Sequence, residues 1–334
     1  TILYVQRMAR KIRELVYTWS SEAWISNDIT ALAEHTTRTN IKEVAYQRVP
    51  DAVYWFVRGD GQLVSVTYER EQQVVGYARH TTNGLIESVA TINGIDGEDE
   101  VWFSVCRTIN GQVVRYIEQF KTGMRIALDT GDKSAWFYLD AAVQKTPTLS
   151  NGIPVSTTTI TGLSHLEGKA VSVWAGVYNA TGNEVTYGIV TPVIDPATNA
   201  PMVVTNGSIT MQSPVCAWVI GLPYASVLCP ERVDQQLADG TSQGRKMRIP
   251  RLNIKIYQSF GGEYSSDNVN WSPMVSRKLT DAMDDSAPVI NEWTRQYLSS
   301  NWADGVDIYL RQTLPVPLTI AAIVPVWEAS EGQN

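Results

Sequence analysis

Histidine and cysteine are scarce in this chain, three of each in 334 residues. Cys106, Cys216 and Cys229 are odd in number and show no CxxC-type spacing, which excludes a disulfide framework and a zinc site and leaves three buried thiols as the expectation. No apolar run approaches the roughly 18 residues of a membrane-spanning helix, and no signal-peptide pattern opens the chain. Charged residues make up only 18% and hydrophobic ones 44%, a balance that excludes a disordered tail. The acidic excess, 27 Lys and Arg against 34 Asp and Glu for a net charge of −7, argues against a surface built wholly for nucleic acid. Eleven Trp and fifteen Tyr, by contrast, suit sheet faces and interfaces.

A repeat organises what is present. "AEHTTRTNIKEVA" (33–45) returns as "ARHTTNGLIESVA" (78–90), with seven of thirteen positions identical at an offset of 45 residues. A period of about 40 to 45 residues is what a four-stranded propeller blade needs. Between the copies, strands are expected at 41–47, 52–58, 63–69 and 74–80, alternating or β-branched and aromatic. Asp60-Gly61 offers the positive-φ residues of a tight type I′ turn. The next unit repeats the order at 86–92, 100–108 and 112–120, with Asn110-Gly111 as its turn. Upstream, 12–19 reads as a strand; 27–35 ("NDITALAEH") has helix-compatible spacing, but the repeat favours strand there.

The expected fold class is therefore all-β: a partial β-propeller with blades of four antiparallel strands over 1–143, a small antiparallel β-barrel or sandwich over 144–236, and a C-terminal β region over 237–334 packing back on the propeller. The middle domain follows from the strand, turn, strand reading of 159–177 and a hairpin across Asn206-Gly207. Residues 1–140 hold roughly three blades, whereas a closed propeller uses about 4 to 8. With Thr1 rather than Met at its start, the chain is expected to be the C-terminal part of a longer polypeptide, or a piece completed by a segment supplied elsewhere.

Four segments, "IKEVAYQRVPDAVYWFVRGDGQLVSVTY", "ITGLSHLEGKAVSV", "GRKMRIPRLNIKIYQS" and "PLTIAAIVPVW", carry a resemblance. With them the chain resembles the C-terminal half of tail nozzle proteins, also called tail tubular protein B or stem proteins, of tailed and chiefly short-tailed bacteriophages. The likeness covers nearly the whole chain and is weakest between Tyr178 and Met202 and between Glu263 and Trp302. It implies a virion component, usually a hexameric ring under the portal and adaptor, that combines an interrupted propeller with small β-domains around a DNA channel. It implies no catalytic residue and no cofactor. Such proteins are usually much longer than this chain.

Candidate residues can be weighed against that frame. His35 and His80 are read as one structural position met twice, with Thr36-Thr37 and Thr81-Thr82 as turn-forming hydroxyls, because no third and fourth ligand for a metal is visible. His165 reads as a loop hydrogen-bonding residue. Asp96, Glu98, Asp99 and Glu100 offer a calcium loop or a hydrolase carboxylate pair, but a solvated turn at a strand entrance is preferred; "TDAMDDSAP" (280–288) has the same ambiguity. Arg245, Lys246, Arg248 and Arg251 concentrate positive charge and are assigned to assembly between subunits or domains, ahead of a solvated face and of DNA contact. Strand alternation sends Arg251 and Asn253 to one face and Leu252, Ile254 and Ile256 to the other. A structural tail protein is the preferred function. The alternatives are an envelope polysaccharide hydrolase resting on the acids, and a sugar-binding module using Trp24, Trp271, Trp293 or Trp302.

Overall fold

The computed structural model describes residues 2–190, 202–237, 240–274 and 288–330. They are mostly β, in open antiparallel sheets, and the chain divides into two compact units, Thr1–Gly123 and Met124–Asn334.

The first unit contains three sheets in chain order. Sheet I is β1 (Ile2–Val5), β2 (Ile12–Thr18) and β3 (Ala23–Asp28); sheet II is the meander β4 (Ile41–Gln47), β5 (Val53–Arg58), β6 (Leu63–Glu69) and β7 (Val74–His80); sheet III is β8 (Leu85–Asn93), β9 (Asp99–Ile109) and β10 (Gln112–Gln119). They stack face to face. Ile12 of sheet I packs with Phe56, Val64, Val66 and Tyr68 of sheet II. On the opposite face of sheet II, Trp55, Val57 and Leu63 pack with Val89, Val101, Phe103 and Val105 of sheet III. Covered on both sides, β5 is a continuous apolar run from Val53 to Val57, and β6, expected from its alternation to turn one face to water, is instead buried on both faces from Leu63 to Val66, whereas β2 and β9 largely alternate buried with more exposed residues.

The sequence repeat is visible in the backbone. Both copies carry a register shift at the same place, between Ile41 and Glu43 and between Ile86 and Ser88. The Ile41 amide donates to the Ala9 carbonyl at 2.6 Å, and the Ile86 amide to the Gly61 carbonyl at 2.8 Å. Each sheet's first strand is thus hydrogen-bonded to a turn of the preceding sheet. Gly61, at φ 78°, is needed twice over there, since a Cβ would also lie 2.8 Å from Leu85 Cβ.

Two further expectations for this unit are corrected. The strand expected through 27–35 stops at Asp28, and Glu34–Thr37 form a 3-10 turn, in which buried Thr36 bonds the nearby Ala33 carbonyl and buried Thr37 the distant Arg10 carbonyl instead of joining a ladder. The Asp60-Gly61 turn is not type I′: only Gly61 has positive φ, and the Gly61 amide bonds the Arg58 carbonyl while the Arg58 amide bonds Gln62, a three-residue loop with a glycine bulge. Asn110-Gly111 and Asn206-Gly207, in contrast, have both residues at positive φ.

The second unit opens with helix α1 (Met124–Thr130), which periodicity did not signal. Its first large sheet orders β11 (Asp140–Lys145), β18 (Ala217–Leu222), β15 (Ser172–Asn179) and β16 (Glu184–Val190); the hairpin β12 (Leu149–Ser150) and β13 (Ile153–Pro154) and the pair β14 (Thr157–Thr161) and β17 (Ser208–Val215) complete this part. Val173, Ala175, Trp218 and Ile220 share one core with Ile160, Ile209 and Met211, a small open sandwich. Beyond it lie β19 (Ser226–Leu228), the short pair β20 (Gln236–Leu237) and β21 (Gly240–Thr241), and the strands β22 (Met247–Tyr257), β23 (Glu263–Ser265), β24 (Ser272–Pro273), β25 (Trp293–Tyr297), β26 (Tyr309–Gln312) and β27 (Thr319–Ala329). They form the sheets β19-β26-β23-β24 and β25-β22-β27 over a core of Leu252, Ile254, Ile256, Met274 and Leu310.

The division of the chain differs from the expected 1–143, 144–236 and 237–334. Strand β11 pairs with β18, which draws 140–145 into the second unit. A cluster of Ala127, Trp136, Leu139, Trp174, Val219 and Val316 then ties α1, the sandwich and the C-terminal strands into one body.

Candidate functional site

The repeated His-Thr-Thr stretch forms the loop by which the chain passes from one sheet to the next, and a buried arginine holds each copy. Arg58, on the second strand of sheet II, donates from Nη1 to the Thr36 carbonyl (3.1 Å), from Nε to Thr39 Oγ1 (3.0 Å) and from Nη2 to Asp60 (2.6 Å). Arg107, on the second strand of sheet III and only 2% exposed, donates from Nη1 to Thr82 Oγ1 (3.0 Å) and the Asn83 carbonyl (2.8 Å). Its Nε and Nη2 bind both oxygens of Glu118 at 2.6 Å, a bidentate pair. Sequence reading singled out neither arginine, because their partners lie on other loops and strands.

The two histidines do not meet and do not share surroundings. His35 is exposed in the 3-10 turn. His80 closes β7 with Nε2 2.7 Å from Ser65 Oγ, its ring 5.1 Å from that of Trp55 and 6.2 Å from that of Phe120. Burial among these rings pushes its pKa down to about 4, so it is a neutral hydrogen-bonding group at pH 7. His165 Nε2 lies 3.0 Å from the Ala141 carbonyl in a 3-10 turn.

The four acids are likewise employed one by one. Asp99 accepts from the Arg48 and Val49 amides (2.6 and 3.2 Å), Glu98 from the Gly123 amide (2.8 Å) and Glu100 from Trp102 Nε1 (2.9 Å), while Asp96 is exposed. Three carboxylates thus tie separate donors, and among the described residues no group of His, Cys, Asp or Glu is placed to hold a metal. The acids of 280–287 lie outside the described residues. Cysteine corrects another expectation: Cys216 is buried, with its thiol pKa raised by that burial, and Cys106 is half-buried, but Cys229 is exposed.

The basic segment divides. Arg245 and Lys246 sit in the turn before β22, with Lys246 exposed. Arg248 forms an ion pair with Glu328 at 2.7 Å and lies over the Trp302 ring at 5.2 Å. Arg251 is on β22, and its Nε is buried without a hydrogen-bond partner among the described residues. The alternation expected after Arg248 holds, with Leu252, Ile254 and Ile256 fully buried. Strand pairing adds what the linear sequence did not reveal: Arg251 faces Tyr297, Asn253 faces Arg295 and Lys255 faces Trp293. Three cations, Arg251, Lys255 and Arg295, and two exposed aromatics, Trp293 and Tyr297, therefore share one sheet face. Trp293 belongs to this face, Trp271 is covered by the Arg311 guanidinium at 4.0 Å, and Trp24 is on β3 of sheet I.

A cleft of about 380 Å3 in the second unit is lined by Tyr138, Tyr224, Leu310, Val316 and Ile320. Burial pushes both tyrosine hydroxyls up to about 12, so they serve as donors there rather than bases. No helix among the described residues is long and apolar enough to cross a membrane. No protein-family model matches the chain, and no curated protein matches it.

Proposed function

We propose that this chain is a structural part of a bacteriophage tail, a subunit of an oligomeric nozzle ring through which the genome leaves the virion. On this reading the first unit is part of a β-propeller, sheets I to III being consecutive blades. The observation that carries it is the repeated junction: successive antiparallel sheets packed face to face, each first strand bonded to a turn of the sheet before it. Stacked blades with few protected edges give the rigid wall such a tube needs. The motif resemblance, not the geometry, supplies the virion and the hexamer. Individually tied carboxylates fit a scaffold better than a hydrolase. The basic and aromatic face around Arg251 is assigned to contact between subunits, with Arg245 and Lys246 at its border.

Immunogold electron microscopy of purified virions with antibodies to residues 145–235 tests the proposal. Label on the central tail tube is the expected result. Label on peripheral fibres, or none on intact and on disrupted particles, overturns it.

A further inference from the structure

The junctions of the first unit define which strands of sheets I and II correspond. Ile41 and Ile86 are equivalent by the 45-residue repeat, and their amides bond Ala9 and Gly61. The turn holding Ala9 joins β1 to β2, and that holding Gly61 joins β5 to β6, so β1 corresponds to β5, β2 to β6 and β3 to β7. The registers agree: Val5 pairs with Ile12 as Val57 pairs with Leu63, and Ile12 and Leu63 are both fully buried. Among the described residues sheet I therefore has no counterpart of β4, and no described strand pairs with the edge of β1 that corresponds to the β4-paired edge of β5.

The same correspondence identifies an uncovered face. Phe56, Val66 and Tyr68 are 1%, 0% and 9% exposed because sheet I lies over them. Their counterparts in sheet I are Tyr4, Leu15 and Tyr17, and Ile2 corresponds to Tyr54. Ile2, Tyr4 and Tyr17 are 58%, 39% and 37% exposed. Open edges and aromatic faces of this kind are what proteins cover with another strand.

We propose that the free edge of β1 is a strand-acceptor site, filled in antiparallel pairing by a β-strand from polypeptide outside these 334 residues, whose own sheet covers Ile2, Tyr4 and Tyr17. The ligand is an extended segment of the kind seen at β4 and β8, which share Ile-x-x-Val-Ala (41–45 and 86–90), the isoleucine buried in both. Backbone bonds along the edge would supply affinity and that apolar pattern would supply specificity. The inference rests on the sheet correspondence alone and holds whether or not the protein belongs to a virion.

The test is a chain extended before Thr1 by residues 41–47 and a five-residue Gly/Ser linker, the length of the 48–52 connection, so that the strand is present at high effective concentration. Hydrogen exchange at residues 2–5 is followed by mass spectrometry. The expected result is at least about tenfold slower exchange there than in the unextended protein, absent when the added segment is scrambled or carries proline in place of its valine. Unchanged exchange at 2–5, protection confined to β10, or a dimer of the unextended protein sealed through β1 by sedimentation and exchange would each overturn the proposal.

Discussion

Replacing Arg107 with methionine removes the guanidinium that closes the loop between sheets II and III while keeping much of the side chain's apolar bulk. Two of its bonds go to Glu118, whose side chain is 20% exposed, and two to the 82–83 loop. Breaking a buried pair by deleting one partner costs about 3 to 5 kcal/mol. Glu118 can partly rehydrate, which places the expected loss near 3 kcal/mol, or a midpoint shift of about 1 to 2 M in urea for a unit of this size. Hydrogen exchange of 99–119 across a urea series reads this without interference from the tryptophans of the second unit. A cycle with Glu118→Gln should give a coupling above about 1 kcal/mol. The exposed pair Arg115–Glu87, 64% and 39% exposed, provides the contrast: Arg115→Met should move the urea midpoint far less than Arg107→Met. A loss at Arg107 no larger than that at Arg115, or additive effects at 107 and 118, would refute the clamp.

Three further outcomes are expected. The His80 pKa is depressed from 6.5 to about 4, so the fold favours the neutral ring; this group's contribution is complete above about pH 6.5, declines as pH falls towards about 4, and totals about 3 kcal/mol at most. His80→Gln should flatten the pH dependence of urea midpoints across that window, and an unchanged slope would show that another group titrates there. Gly61→Ala meets both a positive φ and Leu85, whereas Gly111→Ala meets a positive φ of 75° with open space beside it; the first should lower thermal stability more than the second, whose cost is about 1 kcal/mol, and equal losses would remove the packing argument. Charge reversal of Arg245 and Lys246 should reduce ring formation seen by negative-stain microscopy with little change in melting temperature; intact rings that release DNA slowly would instead assign these residues to the channel.

Most strands of the first unit were legible because period-2 alternation and Gly-containing turns act within a few residues. Sheet II fell within a residue of the expected bounds at every strand. What was illegible depends on distant partners. The turn at Glu34–Thr37 is held partly by the Thr37 hydroxyl on the Arg10 carbonyl, 27 residues earlier, and Arg107 is buried because Glu118 and the 82–83 loop surround it. The basic and aromatic face was half visible: alternation placed Arg251, but Arg295 joins it only through the pairing of β22 with β25 across a long intervening segment. The boundary at Gly123 was hidden for a similar reason, since the affiliation of β11 is decided by β18, more than seventy residues away.

Because the β5–β6 hairpin is sandwiched between both neighbouring sheets, it cannot shed one of them and remain dry. Peeling away either flank wets a row of aromatic and branched side chains worth about 1.5 to 3 kcal/mol apiece, so the first unit should melt as a single event rather than sheet by sheet. A mechanical load applied across it would then be resisted collectively up to a threshold, with no gradual softening beforehand.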